Sequence, residues 1–171
     1  MRQRVLERRW RNLPTSAATS PIAEQDLAYV ENQIGFRLPE LVRQIALTVA
    51  DGGFGPNYGV NRLKHPANVP FGPHWEYPMS VESWHRLYQQ PNSEDRDCLK
   101  AYPRHFIRYC EVGCNISLLV DCTNNSAMMF IDDPNAADAV RPLNESLECW
   151  LSNWISSNPW PSERYTLQRP D

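Results

Sequence analysis

Residues 22–55, which read IAEQDLAYVENQIGFRLPELVRQIALTVADGGFG, decide the fold of this chain. Their first part repeats apolar residues at helical spacing up to Gly35, a residue that commonly terminates helices. Ser20 is suited to cap this helix, because serine followed by a first-position proline, here Pro21, is a common helix start. The sequence therefore predicts a helix from Pro21 to Gly35. Its apolar face consists of Ala23, Leu27, Val30 and Ile34.

A second helix is predicted to begin at Pro39. One apolar stripe follows this proline at helical spacing, and Asp51-Gly52-Gly53 supplies the left-handed stop that ends many helices. Two helices joined by a tight turn therefore open the fold. The second stripe consists of Leu41, Val42, Ile45, Ala46 and Val49.

The pattern changes after the second helix. Residues 54–78 are rich in glycine, proline and aromatic residues, which predicts a long loop segment with one short strand near Gly59 to Leu63. Ser80 is predicted to cap a short helix that runs through Gln89. Strand-like runs follow at 106–110, 116–121 and 127–131, with a Thr-Asn-Asn-Ser turn at 123–126 before the last of them.

A final helix is predicted from an Asn144 cap to about Ser156. The resulting order of elements predicts an α+β fold, in which a mixed, mostly antiparallel β-sheet has helices packed against it. We expect a single domain over 20–157, a basic N-terminal arm and linker over 1–19, and a C-terminal tail over 158–171. The apolar stripe of the final helix consists of Leu147, Trp150, Leu151, Trp154 and Ile155.

Charge is distributed unevenly along the chain. Residues 1–11 hold five arginines against Glu7, a charge of +4, which leaves −7 on residues 12–171 out of a total of −3. An acidic body repels phosphate backbones and attracts cationic proteins, so it favours a partner with a basic surface over a nucleic acid. Acidity that serves solubility alone is the competing interpretation.

The compartment is predicted from apolar runs and cysteines. No apolar run approaches the length of a membrane span, and no secretory signal follows Met1, so we expect a cytoplasmic protein without a membrane partner. The five cysteines are an odd number, which favours reduced thiols over a disulfide framework.

Three kinds of chemistry remain open as alternatives. Cys110, Cys114, Cys122 and His105 include the ligand types of a zinc site, although their spacing suits buried thiols better. A hydrolase with a cysteine nucleophile would draw its thiol from Cys98, Cys110 or Cys114 and its base from the histidines, but nothing in the sequence pairs them. The arginine-rich arm could bind nucleic acid, although a solvated tail or a helix docked on the acidic domain is favoured. The histidines are His65, His74, His85 and His105.

The order of four segments carries a family resemblance. Leu38-Pro39 and Gly52-Gly53 in the opening helices are followed by FIRYCEVGCNISLLVDC (106–122), MMFIDDP (128–134) and SLECWLSNWI (146–155). Over about residues 20 to 157 this order resembles the SUKH superfamily, which includes the fungal Smi/Knr cell-wall regulators and many bacterial toxin-immunity proteins.

The resemblance implies a binding scaffold that is not an enzyme and needs no cofactor. Its implied role is an immunity protein that neutralises a cognate bacterial toxin, a nucleic-acid-directed enzyme or another polymorphic effector, in a stoichiometric complex. We expect the chain itself to be a monomer or weak homodimer. A regulatory scaffold for an endogenous protein is the alternative role. Aromatic loop residues are candidate anchors and acidic residues are candidate rim contacts of the interface. A place in the sheet core is favoured for Phe54, and solvated charge is the favoured alternative for the acidic residues. The candidate partner-binding residues are Phe54, Asn57, Tyr58, Trp75, Glu76, Tyr77, Glu94, Asp95, Asp97, Asp132 and Asp133.

Overall fold

The structure is a computed structural model that describes residues 19–56, 58–67, 80–89, 102–113, 115–136 and 138–156. Within these ranges the chain forms four helices and five strands. The helices are α1 (Glu24–Ile34), α2 (Glu40–Thr48), α3 (Val81–Gln89) and α4 (Leu147–Ser156), and the strands are β1 (Gly59–Val60), β2 (Phe106–Gly113), β3 (Ile116–Asp121), β4 (Met128–Asp132) and β5 (Val140–Ser146). None of these helices is both long enough and apolar enough to cross a membrane.

The α+β class predicted from the sequence is confirmed. The five strands form one sheet in chain order, and each neighbouring pair among them is antiparallel. The strand β5 was not predicted, because Pro142 and the left-handed Asn144 (φ 56°) interrupt the alternation that identifies strands. Asn144 is therefore not a helix cap. Helix α4 begins instead at Leu147, where the Ser146 hydroxyl accepts a hydrogen bond of 3.3 Å from the Cys149 N–H.

Helix α1 starts later than predicted. It begins at Glu24, and its cap position, Ala23, makes no side-chain capping bond. The preceding residues are extended because their backbone bonds to a distant segment: the Ile22 N–H donates to the Ala46 carbonyl at 2.9 Å, and the Ser20 carbonyl accepts from the Asp51 N–H at 3.2 Å. The predicted end is confirmed, since Gly35 is left-handed and its N–H donates to Glu31.

Helix α2 follows Pro39 as predicted but ends at Thr48, before Asp51-Gly52-Gly53. The positive φ of Gly52 therefore does not end the helix. A side chain at Gly52 would lie 2.7 Å from the Arg62 backbone nitrogen. This glycine permits the close approach of the segment that leads out of β1.

The hydrophobic core lies between the helices and one face of the sheet. Ile107, Leu118, Val120, Met129 and Ile131 are at most 1% exposed and belong to one cluster with the apolar faces of α1, α2 and α4. The predicted α4 stripe is confirmed, with Ile155 partly buried and the others fully buried. Those others are Leu147, Trp150, Leu151 and Trp154.

Helix α3 is capped as predicted. The Ser83 N–H donates to the Ser80 hydroxyl oxygen at 3.0 Å, and the Ser80 N–H donates to the Ser83 hydroxyl oxygen at 2.9 Å. This reciprocal pair satisfies donors that the first turn of a helix leaves free. From α3, the Trp84 ring meets the Tyr102 ring edge-on at 5.3 Å between centroids. Tyr102 in turn contacts the sheet at the site described next.

Candidate protein-binding site

A row of polar side chains crosses the sheet on the face opposite the core. Glu111 of β2 lies opposite Ser117 of β3, which lies opposite Asp132 of β4. Residues directly opposite each other on neighbouring strands project on the same face, so these three side chains lie side by side. With Arg108 they form the group that we call the polar row.

Arg108 joins the polar row through its guanidinium group. Its Nε lies 2.6 Å from the Ser117 hydroxyl oxygen and 2.9 Å from Glu111 Oε1. The Ser117 hydroxyl also donates to Glu111 Oε2 at 3.0 Å, and Asn61 Nδ2 donates to Glu111 Oε1 at 3.2 Å. Because Ser117 is fully buried and the Arg108 side chain is only 17% exposed, these contacts are shielded from bulk water.

Asp132 is buried, not a rim carboxylate. It is 6% exposed, and the Tyr102 hydroxyl donates a hydrogen bond to its Oδ2. Burial raises the pKa of Asp132, while Tyr102 and the nearby charge of Arg108 oppose that increase. The expectation of an exposed rim residue is therefore wrong, because Asp132 ends a strand whose face is covered by Tyr102.

Asp133 is also buried, at 0% exposed, so its prediction as a rim residue is wrong as well. Its Oδ1 accepts hydrogen bonds from the Asn135 backbone N–H at 3.0 Å and from Asn135 Nδ2 at 3.2 Å. Its own N–H donates to the Ala139 carbonyl at 2.7 Å. These bonds show that Asp133 organises the β4–β5 connection. Within the described part of the chain, its buried Oδ2 has no hydrogen-bond partner.

Tyr58 lies at the surface, where the sequence placed a candidate anchor. Its side chain is 69% exposed, just before β1. Its N–H donates to the Glu111 carbonyl at 3.2 Å, which fixes its backbone to β2. One end of the sheet carries Tyr58, Gly113 at the end of β2 and Asp132 at the end of β4. We call it the loop end.

Phe54 belongs to the core. It is 1% exposed, and its ring lies 6.5 Å from that of Trp154 on α4. The favoured core position is confirmed and the candidate role as a surface anchor is wrong, because the chain folds inward at this point to pair the Phe54 carbonyl with the Val60 N–H. Seven other candidates lie outside the described residues: Asn57, Trp75, Glu76, Tyr77, Glu94, Asp95 and Asp97.

The candidate thiols and histidines are buried or dispersed. Cys110 and Cys122 are buried free thiols whose pKa values burial raises, which opposes nucleophilic chemistry. His85 is 4% exposed, and burial lowers its pKa to about 4. Among the described residues, no three His, Cys, Asp or Glu side chains are grouped to hold a metal ion. Cys98, Cys114 and His74 lie outside the described ranges.

Sequence reasoning missed Arg108, Glu111, Ser117 and Tyr102. The two register shifts in β2, between Arg108 and Cys110 and between Glu111 and Gly113, explain this for Arg108 and Glu111. Each shift changes which residues face the core, so simple alternation misassigns the faces. The sequence did offer one signal: Arg108 and Glu111 are charged residues within the otherwise mostly apolar strand β2.

Neither the protein-family models nor the curated proteins contain a match to this chain.

Proposed function

We propose that this chain is a non-catalytic immunity protein that binds a bacterial toxin in a stoichiometric complex and neutralises it in the cytoplasm. The observation that carries the binding role is the loop end of the sheet, where an exposed tyrosine adjoins a sheet that is fixed by buried polar contacts. Sites of this kind suit protein recognition, because an aromatic anchor on a rigid scaffold loses little entropy on binding. The toxin as partner rests on the SUKH-like order of segments.

Electrostatics support a basic partner. The polar row and its neighbour Asp133 hold three carboxylates against the single guanidinium of Arg108. A negative potential at this end would speed association with a cationic surface, even where the carboxylates themselves are covered.

The cavity beside α2 is too small to hold a substrate. The cavity between α2 and the segment around β1 has a volume of about 10 Å³, which is enough for one water molecule. Its walls include Asp51, Phe54, Asn61 and Tyr109. A substrate-sized molecule does not fit there.

Co-expression with the products of the two flanking genes tests the function. We expect one product to arrest growth alone, and the chain to restore growth and to co-elute with that product in size-exclusion chromatography. The negative control is Leu118→Asp, which places a charge at a fully buried position and unfolds the domain. If the wild-type chain binds neither product and protects against neither, the immunity role is wrong. If it binds one without growth protection, the regulatory role replaces it.

A further inference from the structure

The strand β5 forms one edge of the sheet. Within the described part of the chain it pairs with β4 alone, so its outer side has no neighbouring strand. The unpaired N–H and C=O groups of an edge strand can pair with another chain. A strand of seven residues is long enough for such pairing unless its own residues prevent it.

Pro142 removes a hydrogen-bond donor from this outer side. The Asp133 N–H donates to the opposite Ala139 carbonyl at 2.7 Å. In an antiparallel ladder, such bonded pairs alternate with pairs whose N–H and C=O groups point away from each other. In the register of β4 and β5, Arg141 therefore bonds toward β4, while Val140 and Pro142 present their backbone groups to the outer side. Because proline has no N–H, the outer side lacks a donor at this position.

A left-handed bulge follows Pro142. Asn144 is exposed and has a φ of 56°, which lies in the left-handed region. The register of β4 and β5 shifts between Met128 and Phe130, where residues 143–145 of β5 lie opposite a single residue of β4. A bulge of this kind bends the strand and breaks the regular spacing of its outer backbone groups.

The opposite edge of the sheet is closed by different means. Strand β1 has only two residues. Beyond it, the Asn61 N–H donates to the Tyr109 carbonyl at 2.7 Å, and Asn61 Nδ2 donates to the Arg108 carbonyl at 3.1 Å. These bonds occupy edge groups of β2 that β1 does not reach. The longer edge, β5, is interrupted instead by Pro142 and Asn144.

We propose that Pro142 and Asn144 prevent the β5 edge from pairing with a second copy of this chain. This inference does not depend on the proposed immunity function. Two copies of one strand that pair about a twofold axis run antiparallel and are self-complementary. Centred on Leu143, such a pair sets Arg141 opposite Glu145 of the partner subunit, and opposite charges across neighbouring strands stabilise the pairing. A second copy is therefore the partner that an uninterrupted β5 would attract.

Sedimentation velocity over a concentration series tests this edge protection. The double variant Pro142→Thr/Asn144→Thr restores the missing donor and replaces the left-handed residue by one that favours strands. Its mass should rise from that of one chain to that of two, while the wild-type chain stays monomeric. Asn115→Thr is the matched control and should stay monomeric, because Asn115 is also exposed and left-handed (φ 64°) but lies between β2 and β3, away from the β5 edge.

A charge reversal tests which strand the two copies use. Arg141→Glu, added to the double variant, places like charges opposite each other and should return the protein to the monomer. Association that persists undiminished would show that the copies do not pair through β5, and the proposal would be wrong.

The remaining outcomes also decide the proposal. A folded double variant with the wild-type mass at every concentration overturns it, as does equal association of Asn115→Thr. If thermal melts show that the double variant is unfolded, Pro142→Thr alone decides, because threonine readily adopts the φ of proline and the Asn144 bulge is kept. This single variant should associate more than the wild-type chain, and an unchanged mass overturns the proposal.

Discussion

The side-chain oxygen of Asn125 accepts a hydrogen bond of 3.2 Å from the backbone N–H of Glu40, a residue 85 positions earlier in the chain. Asn125 belongs to the turn between β3 and β4, and Glu40 is the first residue of α2. Pro39 occupies the cap position of α2 and makes no side-chain capping bond there. The sheet therefore supplies the cap that this helix lacks locally.

Loss of this remote cap should destabilise the domain. Asn125→Ala is expected to lower the free energy of unfolding by about 1 kcal/mol, the usual effect of removing a capping oxygen. Asn125→Asp is the control: it keeps the acceptor and adds negative charge at a helix N-terminus, so stability should be retained or increased. Urea denaturation of both variants measures the difference, and equal losses would contradict the capping role.

Two of the three acidic partners of Arg43, Glu31 and Glu24, should contribute unequally. The Glu31 side chain is only 15% exposed beside Arg43, and its carboxylate also accepts the Leu38 N–H at 2.8 Å, whereas the Glu24 side chain is 66% exposed. Glu31→Gln should cost about 1.5–3 kcal/mol, because it removes the charge from two shielded hydrogen bonds. Glu24→Gln should cost less than about 1 kcal/mol, since solvent screens an exposed pair. Similar losses in chemical denaturation would show that burial does not distinguish the two pairs.

Two left-handed glycines should respond differently to alanine. At Gly35 (φ +81°) the position of the new methyl group is open, so Gly35→Ala should cost only the conformational strain of about 1–2 kcal/mol. At Gly52 (φ +84°) the methyl would lie within 2.8 Å of three backbone atoms of residues 60–62. Gly52→Ala should therefore be clearly more destabilising, as thermal melts would show. A Gly52→Ala protein as stable as Gly35→Ala would rule out the close approach.

Acid should destabilise the fold through His85. Its ring lies 5.3 Å from that of Phe36 and 5.8 Å from that of Trp84, and burial lowers its pKa from 6.5 to about 4. Because the unfolded chain binds this proton more tightly, stability should fall as the pH drops from about 6.5 to about 4, by at most about 1.4 kcal/mol per pH unit.

The variant His85→Phe keeps an aromatic ring at this position and removes the proton site. The slope of unfolding free energy against pH in this window should be smaller in the variant. Asp51 and Asp132, whose pKa values burial raises, titrate in both proteins, so the difference in slope isolates His85. Identical slopes would contradict the assignment.

Thiol labelling should separate Cys149 from the buried cysteines. Cys149 is exposed on α4, while Cys110 and Cys122 are buried and the pKa of each is raised. In the native protein iodoacetamide should modify Cys149, and it should reach Cys110 and Cys122 only after denaturation, as peptide mass spectrometry would show. Rapid native modification of Cys110 would instead revive the cysteine-hydrolase hypothesis.

Much of the fold was predictable because the relevant signals are local. The stripe of Leu147, Trp150 and Trp154 repeats at helical spacing, and the Ser80 cap lies beside the helix that it starts, so both predictions are confirmed. The site was less predictable. Tyr58 is exposed as an anchor requires, but Phe54 is a core residue and the acidic pair at the end of β4 is buried.

The sequence by itself determined the α+β class, the apolar faces of the helices and the hairpin turn at 123–126, because periodicity and turn chemistry act between residues a few positions apart. Only the tertiary structure decided where α1 begins, what caps α2 and which side chains form the polar row. Each of these depends on backbone or side-chain contacts between residues far apart in the chain, which local periodicity and turn chemistry do not specify.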